Sequence, residues 1–160
     1  WGWDVLLREE AAEQLSLLVA AAWSEGHELT VASAYRSFYD QVCAHSYYSA
    51  DYATEADRVS APPGHSEHRL GTTVDFTNAE VGYEILHDFG ETDASRWLRE
   101  HAAEYGFVMY YLKGGEEETG YIWEPWHYRY VGVEHARDIE ESEGPPSAFM
   151  RGNGVKPGCG

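Results

Sequence analysis

Basic residues are scarce in this sequence: 11 Lys and Arg stand against 28 Asp and Glu over 160 residues, a formal net charge of −17. Such a chain repels phosphate backbones and anionic membrane surfaces, which excludes nucleic acid as a partner. An anionic substrate would need a local cation here, so each buried-looking Arg gains weight. Cysteine is almost missing. Cys43 falls in a predicted helix and Cys159 in a Gly-rich end, which leaves room for one disulfide at most and for no disulfide framework or Cys-x-x-Cys metal site. Long apolar runs are missing too. The nearest, Leu15 to Trp23, is interrupted by Ser16, so no transmembrane segment is expected. The first residue is Trp rather than Met, as in a mature or excised fragment, so the lack of a leader carries no weight. No internal repeat is visible.

Two catalytic signatures are also absent. Without His-Glu-x-x-His there is no helical zinc-protease site, and without Gly-x-Ser-x-Gly there is no nucleophile elbow.

What is present describes one packed domain with an aromatic-lined groove: 43% hydrophobic, 14% aromatic and 24% charged residues. Leu7, Ala11, Leu15, Leu18 and Ala22 recur at helical spacing, which predicts a helix over Asp4–Ser24, capped by Asp4 and stopped by Gly26. Leu29–Ala34 reads as a strand, and Ser37 as the cap of a second helix to about Tyr48. Residues 51–64 read as a loop ending in Pro62-Pro63-Gly64. Thr72–Phe76 alternates like a strand, and Ala94–Tyr105 reads as a helix ended by Gly106. Phe107–Tyr111 and Gly120–Trp123 read as a hairpin around the polar loop Lys113–Thr119. His127–Val133 reads as a strand and Glu134–Glu141 as a short helix. Residues 1–143 form the expected domain and 144–160 a Gly/Pro-rich tail or linker. Helices and strands mix without regular βαβ alternation, so the expected class is α+β with a small, mainly antiparallel sheet packed with helices.

Three stretches carry chemistry. The first is Pro63-Gly64-His65-Ser66-Glu67-His68-Arg69-Leu70-Gly71-Thr72-Thr73-Val74-Asp75-Phe76. Gly71 permits a tight turn between His68 and Asp75. An Asp inside an otherwise buried strand needs a partner or a metal ion. A solvent-facing Asp on an edge strand is the competing reading. The second is Glu124-Pro125-Trp126-His127, where a turn at Pro125 would aim Glu124 and His127 at one point, a base beside a ligand. A structural ion pair between Glu124 and Arg129 competes with it. The third is Ser33-Ala34-Tyr35-Arg36-Ser37, with Gln41 one helical turn on. Arg36 there can grip a carboxylate or an oxyanion, or simply decorate a helix start. His27, His45, His87, His101 and His135 lack telling partners and read as surface or capping residues. Two His and one Asp are also the ligand set of non-haem iron oxygenases, but those place the first His and the carboxylate two apart rather than seven.

Taken together and in order, these stretches resemble the VanY-type D-alanyl-D-alanine carboxypeptidases. That family shares a zinc-peptidase superfamily with D-Ala-D-Ala dipeptidases, LD-carboxypeptidases and the hedgehog signalling domain. Its pattern is Ser-x-Tyr-Arg-Ser, then Ser-x-His-x-x-Gly-x-x-x-Asp, then Glu-x-Trp-His, and the chain matches it from roughly Val5 to Ile139. The resemblance implies the hedgehog/DD-peptidase fold and a Zn2+ ion bound by His68, Asp75 and His127. It makes Glu124 the general base and acid, and Arg36 the group that grips substrate or stabilises the oxyanion. Gln41, Ser66 and Trp126 become candidate substrate contacts. The implied substrate is a peptidoglycan stem peptide losing its terminal D-amino acid to an extracytoplasmic, monomeric enzyme. LD-carboxypeptidase, endopeptidase and a non-catalytic zinc-bearing module are the alternatives. Within the first stretch, Glu67 becomes a bystander and His65 a pocket or loop residue. The chain departs from the family at Tyr110, Leu112 and Thr73, none of them a proposed ligand.

Overall fold

A computed structural model describes residues 5–52, 55–142 and 144–152. Four strands form the sheet: β1 (Thr30–Ser33), β2 (Thr73–Thr77), β3 (Phe107–Met109) and β4 (His127–Tyr130). They lie in the order β1-β2-β4-β3, and every neighbouring pair is antiparallel. β2 is central and all five of its residues are buried. By the two-residue alternation of a strand, Val74 and Phe76 face one side with their cross-strand partners Tyr128 and Val31. Asp75 faces the other side.

The apolar side packs against helices α1 (Glu9–Ser24) and α4 (Asp93–His101). Ala11, Leu15, Leu18 and Ala22 are the buried stripe of α1, as their spacing predicts. Burying each leucine contributes about 2 kcal/mol. Trp97 and Leu98 of α4 close the same core over Phe107 and Tyr128. Thr92 caps α4 by accepting the Ser95 amide at 3.1 Å, and Gly106, at φ +81°, ends the 3-10 turn that prolongs it. α2 (Phe38–Tyr52) starts with a reciprocal cap: Ser37 Oγ accepts the Asp40 amide at 3.2 Å, and Asp40 Oδ2 accepts the Ser37 amide at 3.3 Å.

Four expectations are corrected. Residues 51–64 are not all loop: α2 runs on to Tyr52 and a single turn, α3 (Ala56–Val59), follows. The hairpin 107–123 does not form. Its polar loop holds α5 (Glu116–Thr119), ended by Gly120 at φ +81°. Beyond it the backbone bonds go elsewhere: Ile122 N–H to Arg58 C=O at 3.1 Å, and Glu124 N–H to Tyr111 C=O at 3.1 Å. β3 pairs with β4 instead. α1 begins at Glu9, four residues later than expected for its first helical turn, and its expected cap Asp4 lies outside the described residues. Finally, α6 (Val133–Glu141) is followed by α7 (Pro146–Gly152) where a tail was expected. Met150 of α7 is buried with Ala103, Val108, Ala136 and Ile139, so the packed unit extends past residue 143. Cys43 is exposed, while Cys159, and with it any pairing of the two, lies outside the described residues. Among the described residues no helix is long and apolar enough to cross a membrane.

Candidate metal centre

The polar face of the sheet gathers one row of side chains across three strands. Ser33 of β1 pairs with Asp75 of β2, and Asp75 pairs with His127 of β4. An irregularity between Val31 and Ser33 makes this row possible. In regular pairing Ala32 would stand opposite Asp75. The extra residue brings Ser33 there instead, the re-aiming that bulges provide beside functional sites.

His68 arrives from a 3-10 turn, Glu67–Leu70, that ends at Gly71 in the left-handed region, φ +68°. A Cβ on Gly71 would lie 3.5 Å from the backbone of Arg8, whose amide donates to Gly71 C=O at 2.8 Å and whose Nε donates to Leu70 C=O at 2.9 Å. The hinge expected between His68 and Asp75 is therefore present and clamped to the entry of α1.

His68, Asp75 and His127 each offer one ligand atom, and these atoms all lie within 4.8 Å of one another. All three residues are buried. His68 Nδ1 faces the Ala34 carbonyl at 2.6 Å, which leaves Nε2 turned to Asp75 Oδ2 at 3.1 Å. His127 faces the group with Nδ1, 3.2 Å from Asp75 Oδ1. Asp75 Oδ1 is nonetheless buried without a hydrogen bond. Two imidazoles, one carboxylate and an unsatisfied buried oxygen fit a zinc ion with a position left open.

Glu124 lies beside this group, its Oε2 3.4 Å from His127 Nδ1. The turn expected at Pro125 exists: His127 N–H donates to the Glu124 carbonyl at 3.1 Å. Burial pushes the Glu124 carboxyl up to about 8; His127 and Arg36 oppose this, and the charges of Asp75 and Glu67 add to it. Burial works against ionisation of Asp75 as well, but His68 and His127 outweigh it and hold its carboxyl far below the usual range. His127 is driven the other way, to about 10: burial alone would lower it, and the carboxylates of Asp75 and Glu67 overcome that.

These residues line a cavity of about 400 Å³, together with Arg36, Gln41, Ser66 and Trp126. Arg36 is the flanking cation. Its Nη2 donates to Ser33 Oγ at 3.0 Å and lies 3.8 Å from Asp75 Oδ2, and its Nη1 donates to Gln41 Oε1 at 3.0 Å. Gln41 is fully buried, and its amide nitrogen donates to Ala61 C=O at 2.6 Å and to Ser60 Oγ at 3.2 Å. Its oxygen thus holds Arg36 and its nitrogen ties it to residues 60 and 61, so neither projects freely into the cavity. Trp126 forms a wall, with its ring 5.0 Å from that of His87. His87, expected only on the surface, is exposed yet stands at the rim of the cavity. His65 is an exposed loop residue outside the cavity lining.

Glu67 is not a bystander. Its Oε2 accepts from His127 Nε2 at 3.0 Å and its Oε1 from Arg129 Nη1 at 2.6 Å. Arg129 therefore pairs with Glu67, and the ion pair considered between Glu124 and Arg129 is absent among the described residues. The missed signal was strand period: His127 and Arg129 are two apart and share a face, so a carboxylate reaching one reaches the other.

The model of the VanY D-alanyl-D-alanine carboxypeptidase family matches residues 4–133. The chain belongs to the VanY family. YodJ of Bacillus subtilis (strain 168) is 38% identical over 138 residues, 86% of this chain and 50% of that protein. A D-alanyl-D-alanine carboxypeptidase of Enterococcus faecalis (strain ATCC 700802 / V583) is 38% identical over 132 residues, 76% of this chain and 47% of that protein. The chain thus spans about half the length of these curated relatives. Among solved structures, the LdcB LD-carboxypeptidase superposes with a TM-score of 0.86 at 32% identity, covering 94% of this chain and 72% of that one. VanYB in complex with D-alanine-D-alanine gives 0.80 at 31% identity, covering 94% and 90%. A VanY D,D-pentapeptidase variant in complex with Zn(II) gives 0.78 at 30% identity, covering 93% and 91%. The VanY-family fold is therefore the antiparallel sheet with flanking helices that the sequence leads one to expect.

Proposed function

We propose that this chain is the zinc-dependent catalytic domain of a D-alanyl-D-alanine carboxypeptidase that removes the terminal D-amino acid from peptidoglycan stem peptides. The observation that carries this reading is the buried His68–Asp75–His127 group with a second buried carboxyl, Glu124, at its edge. Family membership, a relative solved with D-alanine-D-alanine and another with Zn(II) support it.

His68 Nε2, His127 Nδ1 and an Asp75 oxygen would hold the zinc. When bound, that ion supplies a positive charge that acidifies water and polarises a carbonyl. Glu124 takes a proton from the attacking water and delivers it to the leaving amine, so water oxygen replaces the amine nitrogen on the carbonyl carbon. Such general acid-base action contributes about 10²- to 10⁴-fold. Burial raises the Glu124 carboxyl in the metal-free protein, and the charge of a bound zinc ion would lower it again, towards the ionised form that accepts a proton from water. Arg36, held by Gln41 and Ser33, is the cation within reach of the cavity. It binds either the substrate's terminal carboxylate or the oxyanion formed on attack. Ser66 and Trp126 line the walls that contact the substrate. Buried aromatics around the cavity, Tyr111 among them, keep bulk water from the reacting carbonyl.

A peptidoglycan substrate implies an extracytoplasmic location, and the row of site residues is complete within one copy. The similarity to LdcB supports a second reading, an LD-carboxypeptidase that shortens tetrapeptide stems with the same groups. Incubation with a pentapeptide ending in D-Ala-D-Ala, beside a tetrapeptide ending in L-Lys-D-Ala, separates the two. Release of D-Ala from the first, abolished by a chelator, is the expected result. Release from the tetrapeptide alone would favour the second reading, and release from neither would reject both.

A further inference from the structure

One buried chain of contacts leads away from the metal group, and the proposed reaction makes no use of it. His127 Nε2 meets Glu67 Oε2 at 3.0 Å, and Glu67 Oε1 meets Arg129 Nη1 at 2.6 Å. The side chains are 5%, 12% and 8% exposed, so the whole chain is largely shielded from water. The guanidinium of Arg129 also lies over the Tyr110 ring, 5.2 Å from its centre. Three elements converge here: the turn carrying Glu67 and His68, β4 carrying His127 and Arg129, and Tyr110 just past β3.

From this geometry we infer that Glu67, anchored by Arg129, is a positioning residue that orients His127 for metal binding and keeps itself out of the ligand set. This inference rests on the reading of His68, Asp75 and His127 as the metal group.

An ionised carboxylate only accepts hydrogen bonds. With Glu67 facing Nε2, that nitrogen keeps its hydrogen, and the proton given up when the metal binds is the one on Nδ1, whose lone pair then faces Asp75 and His68. The ring is thereby fixed in both tautomer and rotation. Partners of this kind behind a metal ligand typically change metal affinity about 10- to 100-fold. Arg129 does the second part. A carboxylate lining the same cavity would, if turned to the centre, add a fourth protein ligand and close the position that a catalytic metal keeps open. Two-point pairing with a guanidinium on one side and an imidazole on the other holds Glu67 pointing away from the group.

A substitution cycle tests this through metal affinity rather than activity. In Glu67→Gln, the side-chain oxygen turns to Arg129, a group that can only donate. The NH2 then faces His127 Nε2, which favours hydrogen on Nδ1, the ligand atom. Zinc affinity, measured by chelator competition at fixed pH, should fall about 10- to 100-fold. In Glu67→Gln/Arg129→Met the competing donor is gone and the glutamine oxygen is free to face His127. The double variant should bind zinc more tightly than the single one, by about tenfold. A purely structural role predicts the opposite order, with the second lesion adding to the first. If the single variant does not fold, the double variant, which leaves no unpaired buried charge, is compared with wild type directly, and about a tenfold weaker binding is expected. Binding within twofold of wild type in Glu67→Gln, or in the double variant when it is used alone, overturns the inference. Wild-type protein that binds no zinc, or a His68→Ala variant that binds it unchanged, overturns the metal-site reading itself.

Discussion

Asp75 stands directly opposite His127 in the antiparallel pairing of β2 with β4. Residues 52 positions apart in sequence thus become nearest neighbours through backbone register alone. A one-residue slip of β4 would send His127 into the apolar core and bring Tyr128 to the polar face. Val74, Phe76 and Tyr128, all fully buried, oppose that slip, so the apolar face of the sheet positions the chemistry on its other face.

Replacing Glu124 by Gln separates binding from turnover. The amide keeps the shape but cannot accept a proton from water. Zinc content should stay at the wild-type level while kcat falls by about 10²- to 10⁴-fold. Metal analysis and D-Ala release on the same sample check it.

The same substitution should stabilise the metal-free protein. The Glu124 carboxyl sits near 8 when folded, against an ordinary value of 4.5. Folding therefore favours its protonated form. Its unfavourable ionisation begins as pH rises past about 4.5 and is complete above about 8. Thermal unfolding should show Glu124→Gln more stable than wild type at pH 8, by on the order of a few kcal/mol, and equal to it at pH 4.

Zinc affinity should rise with pH. His127 holds its proton up to about 10 in the metal-free protein, so binding through Nδ1 releases that proton at any lower pH. Apparent affinity should increase by about tenfold per pH unit for each proton released, between pH 6 and 9. Calorimetry in two buffers of different ionisation enthalpy counts the protons, and a count of zero contradicts the prediction.

Arg36→Ala should lower kcat/KM by about 10²- to 10³-fold, the usual effect of removing one oxyanion donor. Gln41→Leu should act in the same direction but less, because it loosens the Arg36 side chain without removing its charge. Steady-state kinetics on the two variants give the order.

Gly90→Ala tests the cavity wall from behind. An added Cβ would lie 2.6 Å from the Trp123 ring and 3.0 Å from Pro125. Trp123 and the Glu124–Pro125 turn must move, at about 1–3 kcal/mol. Activity should drop although no cavity residue has changed, and tryptophan fluorescence should report the shift.

Much of this was legible in the sequence because it is local. The stripe Ala11-Leu15-Leu18-Ala22, the Gly71 hinge and the Pro125 turn each follow from neighbours within a few residues. What was not legible depends on long-range pairing. β3 joins β4 because β4 has an open edge, a fact no window around Phe107 contains. The bulge that brings Ser33 opposite Asp75 is a property of two strands together. Glu67 looked incidental because its partners, His127 and Arg129, lie 60 and 62 positions away. The Gly and Pro of residues 144–160 read as a tail, yet Pro146 starts a helix, where its fixed φ is an asset.

The most direct test of the account is zinc stoichiometry joined to D-Ala release, on wild type and on His127→Ala, with a D-Ala-D-Ala pentapeptide. The account predicts about one zinc per chain and chelator-sensitive release for wild type, with both lost in the variant. Wild-type release that survives complete removal of metal, or a variant that keeps both zinc and activity, would contradict it.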